Sequence, residues 1–155
     1  MHKTNAIRIL EANNIKHDLA EYVFNPDEID AVSVANKVNA QPESVFKTLV
    51  CRGDKTGINV FVIPGNFTLD LKKAAKSSDN KKIEMIREKE LLPLTGYIKG
   101  GCSPIGMKKD YPVYIDETAQ LWDEIYISAG VRGIQVRLNP DKLSELVNAR
   151  YADLI

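Results

Sequence analysis

Lys47 stands inside an otherwise largely apolar run, Val45-Phe46-Lys47-Thr48-Leu49-Val50-Cys51. If the run is a strand, alternation puts the ammonium on the face shared by Val45, Leu49 and Cys51. A cation there must snorkel past the strand end, meet a buried acceptor, or face a cleft. In the last case it is aimed at a carboxylate, a phosphate or a developing oxyanion. The second unusual segment is Gly100-Gly101-Cys102-Ser103-Pro104-Ile105-Gly106. Glycines on both sides of Ser-Pro make either a plain turn or a backbone that brings its N–H groups close to a ligand.

Other catalytic devices are scarce. The two histidines are His2, at the terminus, and His17, in a polar stretch beside Lys16 and Asp18 that suits a solvated or edge-strand position. There is no HExxH, paired CxxC, P-loop or GxSxG pattern. Cys51 and Cys102 make neither a disulfide framework nor a metal knuckle, and no metal or other cofactor is expected. Cys102 is flanked by glycine and lies near Lys99. Without a partner base, however, a thiol near its free pKa of ~8.5 stays protonated at neutral pH. Cys51, in mid-strand, reads as core. Chemistry without a triad is the expectation.

The elements that position these residues fit one domain spanning 1–155, long enough to bury a real core. No apolar run approaches the ~18 residues of a membrane span, and the first residues lead into an amphipathic pattern, so a cytoplasmic protein is expected. Lys plus Arg equals Asp plus Glu, 21 against 21, which argues against tight unaided RNA binding. A weak binder helped by a carrier, or by a local basic patch, remains compatible. Lys72, Lys73, Lys76, Lys81 and Lys82, with Lys108 and Lys109, form either a solvated face or a phosphate track.

Along the chain, Thr4 caps a helix that ends near Asn13, and 16–23 reads as a strand. Ser33 is expected to cap a short helix over 34–38, and Pro42 to open a further turn. Segments 45–52 and 59–63 pair as an antiparallel hairpin through a glycine-bounded connection. A basic helix covers 70–76, a strand 82–86, and a helix 88–92 that Pro93 stops. After the loop 96–106 come strands at 113–116, 124–129 and 133–138. Pro140 then opens a closing helix with Leu143, Leu146, Val147 and Tyr151 at helical spacing. The class is α+β, with a curved mixed, largely antiparallel sheet flanked by helices.

Taken together, the chain resembles the YbaK family, whose members deacylate Cys-tRNA(Pro) and are related to the editing domain of prolyl-tRNA synthetase. The likeness is most specific in Val45-Phe46-Lys47-Thr48-Leu49, in Leu69-Asp70-Leu71-Lys72-Lys73, in Thr95-Gly96-Tyr97 onward to Lys109, in Ile125-Tyr126-Ile127-Ser128-Ala129-Gly130, and in Arg132-Gly133. The resemblance implies that Lys47 is the essential lysine. It implies a pocket from Thr48, Gly100, Gly101, Ser103, Pro104 and Gly106, with Ser128 and Gly130 as a second wall. Tyr22 matches the tyrosine of an early Tyr-Pro motif, looser here as Tyr22-Val23-Phe24-Asn25-Pro26. Gln135 stands where many relatives are expected to carry an aspartate, and Cys102 where they tend to be aliphatic.

The same resemblance implies a substrate that supplies its own nucleophile: the cysteine thiol attacks its ester carbonyl and releases the tRNA as a thiolactone forms. Lys47 would then support charge, with backbone N–H groups near Gly101 and Ser103 on the carbonyl oxygen. The expected partners are the 3′-aminoacyl-adenosine end of the tRNA and prolyl-tRNA synthetase. Rival readings are hydrolysis of Ala-tRNA(Pro) by water, a module that only binds aminoacyl-tRNA or a synthetase, and a redox role for Cys102.

Overall fold

The Thr4 hydroxyl accepts the Ile7 N–H and opens α1 (Asn5–Ala12), which buries Ala6, Ile7 and Leu10. The computed structural model describes residues 3–155, and His2 lies outside them. Two sheets follow. β1 (His17–Glu21), β7 (Ile134–Leu138) and β6 (Ile125–Ser128) form an antiparallel sheet in the order β1-β7-β6. β4 (Ile83–Met85), β2 (Phe46–Gly53), β3 (Gly57–Pro64), β5 (Val113–Asp116) and β8 (Arg150–Ala152) form the other, in that order. Pairings β3–β5 and β5–β8 are parallel and the rest antiparallel, so the sheet structure is mixed and largely antiparallel as expected.

Where one curved sheet was expected, two meet at a single parallel bridge between Val45 and Tyr126. The main core lies between them: Phe46, Val50, Val60 and Val62 pack with Ile127, Val136 and Leu138. α3 (Leu71–Ser77), capped by Asp70, covers the outer face through Ala74 and Ala75 against Phe61, Ile63 and Ile83. Each such large apolar side chain contributes roughly 1.5–3 kcal/mol when fully buried.

Three local expectations are corrected. α2 (Ala31–Lys37) is capped by Asp30 rather than Ser33: the Asp30 carboxylate accepts both the N–H and the hydroxyl of Ser33. α4 (Glu88–Thr95) runs through Pro93 and stops at left-handed Gly96. Pro93 is exposed, so the Lys89 carbonyl it leaves unpaired can be hydrated, while the Thr95 and Tyr111 hydroxyls donate to the Leu91 and Leu94 carbonyls. Finally, Tyr151 is not on the closing helix. α5 (Pro140–Val147) ends at left-handed Asn148, and the chain turns into β8 beside β5. Buried Asp116 holds that return by accepting the Leu154 N–H.

Candidate active site

β2 is paired with β3 along its whole length, but among the described residues its other edge is paired only near its ends. β4 covers residues 51–53, the Ile86 N–H reaches the Val50 carbonyl, and Val45 bridges to Tyr126. In a strand, a residue's N–H and C=O point to the same edge and alternate from one residue to the next. Val45 accepts from Gly65 on the β3 side and Val50 accepts from Ile86 on the other. The N–H of Thr48 is therefore turned to the open edge, and no partner strand covers it there among the described residues. Along this opening lies a cavity of about 540 Å³.

Lys47, Thr48, Gly100 and Ser128 line that cavity together, joined by Cys102 and Gln135. Lys47 is half-buried, and burial lowers its pKa below the ordinary lysine value. Among the described residues its amine forms neither an ion pair nor a hydrogen bond, which leaves its charge for a ligand. Two further polar atoms are orphaned in the same wall: Thr48 Oγ1 and Gln135 Oε1 are buried without a hydrogen bond. Ser128 is the cross-strand neighbour of Gln135, and its hydroxyl accepts the Gly130 N–H.

The remaining expected site residues are not part of this lining. A methyl group on Gly101 would lie 3.2 Å from the backbone of Val131 and Arg132, so glycine lets the two loops touch. The Gly101 N–H is already given to the Ile98 carbonyl, which removes it as a donor to substrate. Ser103 is fully buried and accepts the Ile105 N–H. Gly130, at φ 96°, leaves room for the Tyr97 ring, whose hydroxyl donates to the Ile105 carbonyl. Pro104 and Gly106 face a separate concavity near Tyr111 and Asn148. Tyr22 packs against the cluster of Val34, Ala35 and Val45, and its N–H donates to the Gly133 carbonyl.

Among the described residues, the cavity wall contains no histidine. His17 lies on an edge strand, its Nδ1 2.8 Å from the Ile15 carbonyl. Cys102 is almost fully buried, and burial pushes its thiol up to about 12, so it stays protonated at neutral pH. Asp30 lines the wall, but hydrogen bonds from the Ser33 N–H and hydroxyl hold its carboxyl below the usual carboxylate range, making it a poor base. Arg87 and Lys99, with Glu88, complete the charged lining. Arg87, Lys99 and Asp30 carried no signal in the sequence beyond their charge, because only the fold brings them beside Lys47.

Residues 26–146 match the aminoacyl-tRNA editing domain family. The chain belongs to that family. EbsC of Enterococcus faecalis, named for deacylation of Cys-tRNA(Pro) and Cys-tRNA(Cys), is 48% identical over 152 residues, 98% of this chain and 93% of EbsC. A proline–tRNA ligase of Shouchella clausii is 27% identical over 139 residues, 89% of this chain and 24% of the ligase. A crystal structure described as a trans-editing enzyme for prolyl-tRNA synthetase superposes with a TM-score of 0.84 at 28% identity, covering 99% and 98% of the two chains. The resemblance to the YbaK/EbsC group is upheld. As a member of the editing family the chain is an aminoacyl-tRNA deacylase, an ester hydrolase whose substrate is a charged tRNA.

Proposed function

We propose that this enzyme removes cysteine from mischarged Cys-tRNA(Pro) in trans, with the substrate thiol as the nucleophile. The observation that carries the reading is a half-buried Lys47, unpaired among the described residues, in a cavity whose described wall offers no histidine and no readily ionised thiol. With no histidine or thiolate in the described wall to activate water, a nucleophile already tethered to the ester has the advantage. Well-aligned intramolecular attack is worth up to ~7–11 kcal/mol.

In the step, the cysteine sulfur bonds to the ester carbonyl carbon, and the bond from that carbon to the 3′ oxygen breaks. The thiol proton passes to the departing 3′ oxygen, and a thiolactone leaves for hydrolysis by water. Lys47 Nζ and the Thr48 N–H on the open edge of β2 stabilise the oxyanion, each such donor contributing roughly 2.7–4 kcal/mol. Gln135 and Thr48, with their unsatisfied oxygens, are suited to the amino acid's ammonium or the ribose hydroxyl. Prolyl-tRNA synthetase presents the mischarged tRNA, and the reaction takes place in the cytoplasm with translation. The identity to EbsC and the likeness to a trans-editing enzyme support this choice of substrate.

The test is multiple-turnover hydrolysis of cysteinyl, alanyl and seryl esters on one tRNA(Pro), using wild type, Lys47→Ala and Cys102→Ala. The cysteinyl ester should be cleaved far faster than the other two. Lys47→Ala should lower kcat/KM by about 10²–10³, as loss of an oxyanion donor does, and Cys102→Ala should stay within about twofold of wild type. Equal rates on alanyl and cysteinyl esters would overturn the thiol mechanism. Loss in Cys102→Ala with retention in Lys47→Ala would overturn the site.

A further inference from the structure

Arg132, in the turn between β6 and β7, touches two other loops at once. Its Nε donates to the Lys99 carbonyl at 2.8 Å, and its guanidinium carbon sits 4.8 Å above the centre of the Phe24 ring. Gly100, at φ 84°, makes room for this side chain: a methyl group there would lie 3.3 Å from Arg132 Nε. Backbone approach at Gly101 and the Tyr22 N–H to Gly133 carbonyl bond (2.9 Å) run alongside. Lys99, Gly100 and Cys102 line the same cavity as Lys47, whereas Arg132 is not part of its lining.

We propose that Arg132 is a positioning residue of the deacylase: it clamps the Lys99–Gly100 wall against the Phe24 loop and so sets the gap across which the ester must bend. The inference rests on the assignment of the cavity as the reaction site. Arginine suits the task because a planar guanidinium donates in its plane while its face lies on an aromatic ring. Lysine can do one or the other, since its ammonium is a point charge without a face. The wall carries no regular secondary structure of its own over 101–103, so the clamp can be released without unfolding either sheet. A wall displaced by about 1 Å costs on the order of 10²-fold in an orientation-limited reaction.

Two measurements on Arg132→Ala, Arg132→Lys and Phe24→Leu test this. The first is amide hydrogen exchange at Gly101, whose N–H to Ile98 carbonyl bond reports on the order of the wall. The second is the separation of kcat from KM on Cys-tRNA(Pro). Arg132→Ala should exchange at least tenfold faster at Gly101 with β2 and β7 amides unchanged, and lose ten- to a hundredfold in kcat with KM within twofold. Arg132→Lys should recover part of the loss, and Phe24→Leu should show a smaller one of the same kind. These two variants carry the test if Arg132→Ala fails to fold. Wild-type exchange at Gly101 in the variants, or kcat and KM both at wild-type values, overturns the clamp. A loosened wall together with a wild type idle on Cys-tRNA(Pro) would support the clamp and sink the substrate assignment instead.

Discussion

An ammonium that loses water without gaining a carboxylate is poised to shed its proton early, and Lys47 is in that position: burial alone lowers its pKa. Two consequences have definite signs. The activity that needs the charged amine should fall on an alkaline limb centred below the ordinary lysine value of ~10.4. That limb should be read from kcat/KM against pH after subtracting spontaneous ester hydrolysis. In Lys47→Arg, which keeps its charge throughout, whatever activity remains should show no such limb. A limb of unchanged position in Lys47→Arg would assign the titration to another group. For stability, the unfolded chain holds this proton to higher pH than the folded one, so the penalty is fully present at neutral pH. It fades as pH rises through the lowered pKa towards the unfolded value. The sequence exposed Lys47 because a cation in an apolar strand is conspicuous. It did not expose the open edge of β2, which is why the proposed donor is the Thr48 N–H and not that of Gly101, already bound to Ile98. An N–H carries no sequence signature; only pairing decides whether it is free.

Elements with a local physical signal were legible: Thr4 as a cap, the basic helix near 70–76, the glycine-bounded β2–β3 hairpin, and Pro140 at the start of α5. Those decided by tertiary contact were not. β8 is three residues long, too short for alternation to show, and Tyr151 happens to continue the helical spacing of Leu143 and Val147. Pro93 gave a strong stop signal that tertiary contact overrode: beyond it Thr95 is buried with its hydroxyl on the Leu91 carbonyl, and the Tyr111 hydroxyl holds the Leu94 carbonyl. Such an override leaves a measurable residue. A proline in a helix interior is about 3 kcal/mol less favourable than alanine, partly offset by the stiffer unfolded chain. Pro93→Ala supplies the N–H that the Lys89 carbonyl lacks and should stabilise the protein by about 1–2 kcal/mol. With roughly 2–4 °C per kcal/mol at this size, Tm should rise by several degrees in a thermal melt. An unchanged or lower Tm would mean that α4 is already distorted to suit proline.

At the scale of the whole molecule the balanced charge matters most. A deacylase with a formal net charge of zero cannot draw tRNA from solution by its overall field, so phosphate contacts must be few and local. The helix patch contributes less than its sequence suggests: Lys73 is tied to Asp153 and the Ile155 carbonyl, and Lys82 to Glu84. At the cavity, by contrast, Lys47, Arg87 and Lys99 share the lining with Asp30 and Glu88, three cations against two acids, where the proposed reaction would receive the 3′ end. A plot of log kcat/KM against log salt for Cys-tRNA(Pro) should therefore be shallow. Each neutralised phosphate contact is worth a slope of roughly 0.7–0.9, the lower figure applying to single strands. Arg87→Gln and Lys99→Gln should each flatten the plot by about that amount, and Lys72→Gln with Lys76→Gln should leave it unchanged. Adding prolyl-tRNA synthetase should raise kcat/KM and flatten the plot further, because the carrier then holds the phosphates. If the α3 variants flatten the slope and the mouth variants do not, the tRNA lies across the outer face of the larger sheet instead, and the path into the cavity must be redrawn from there.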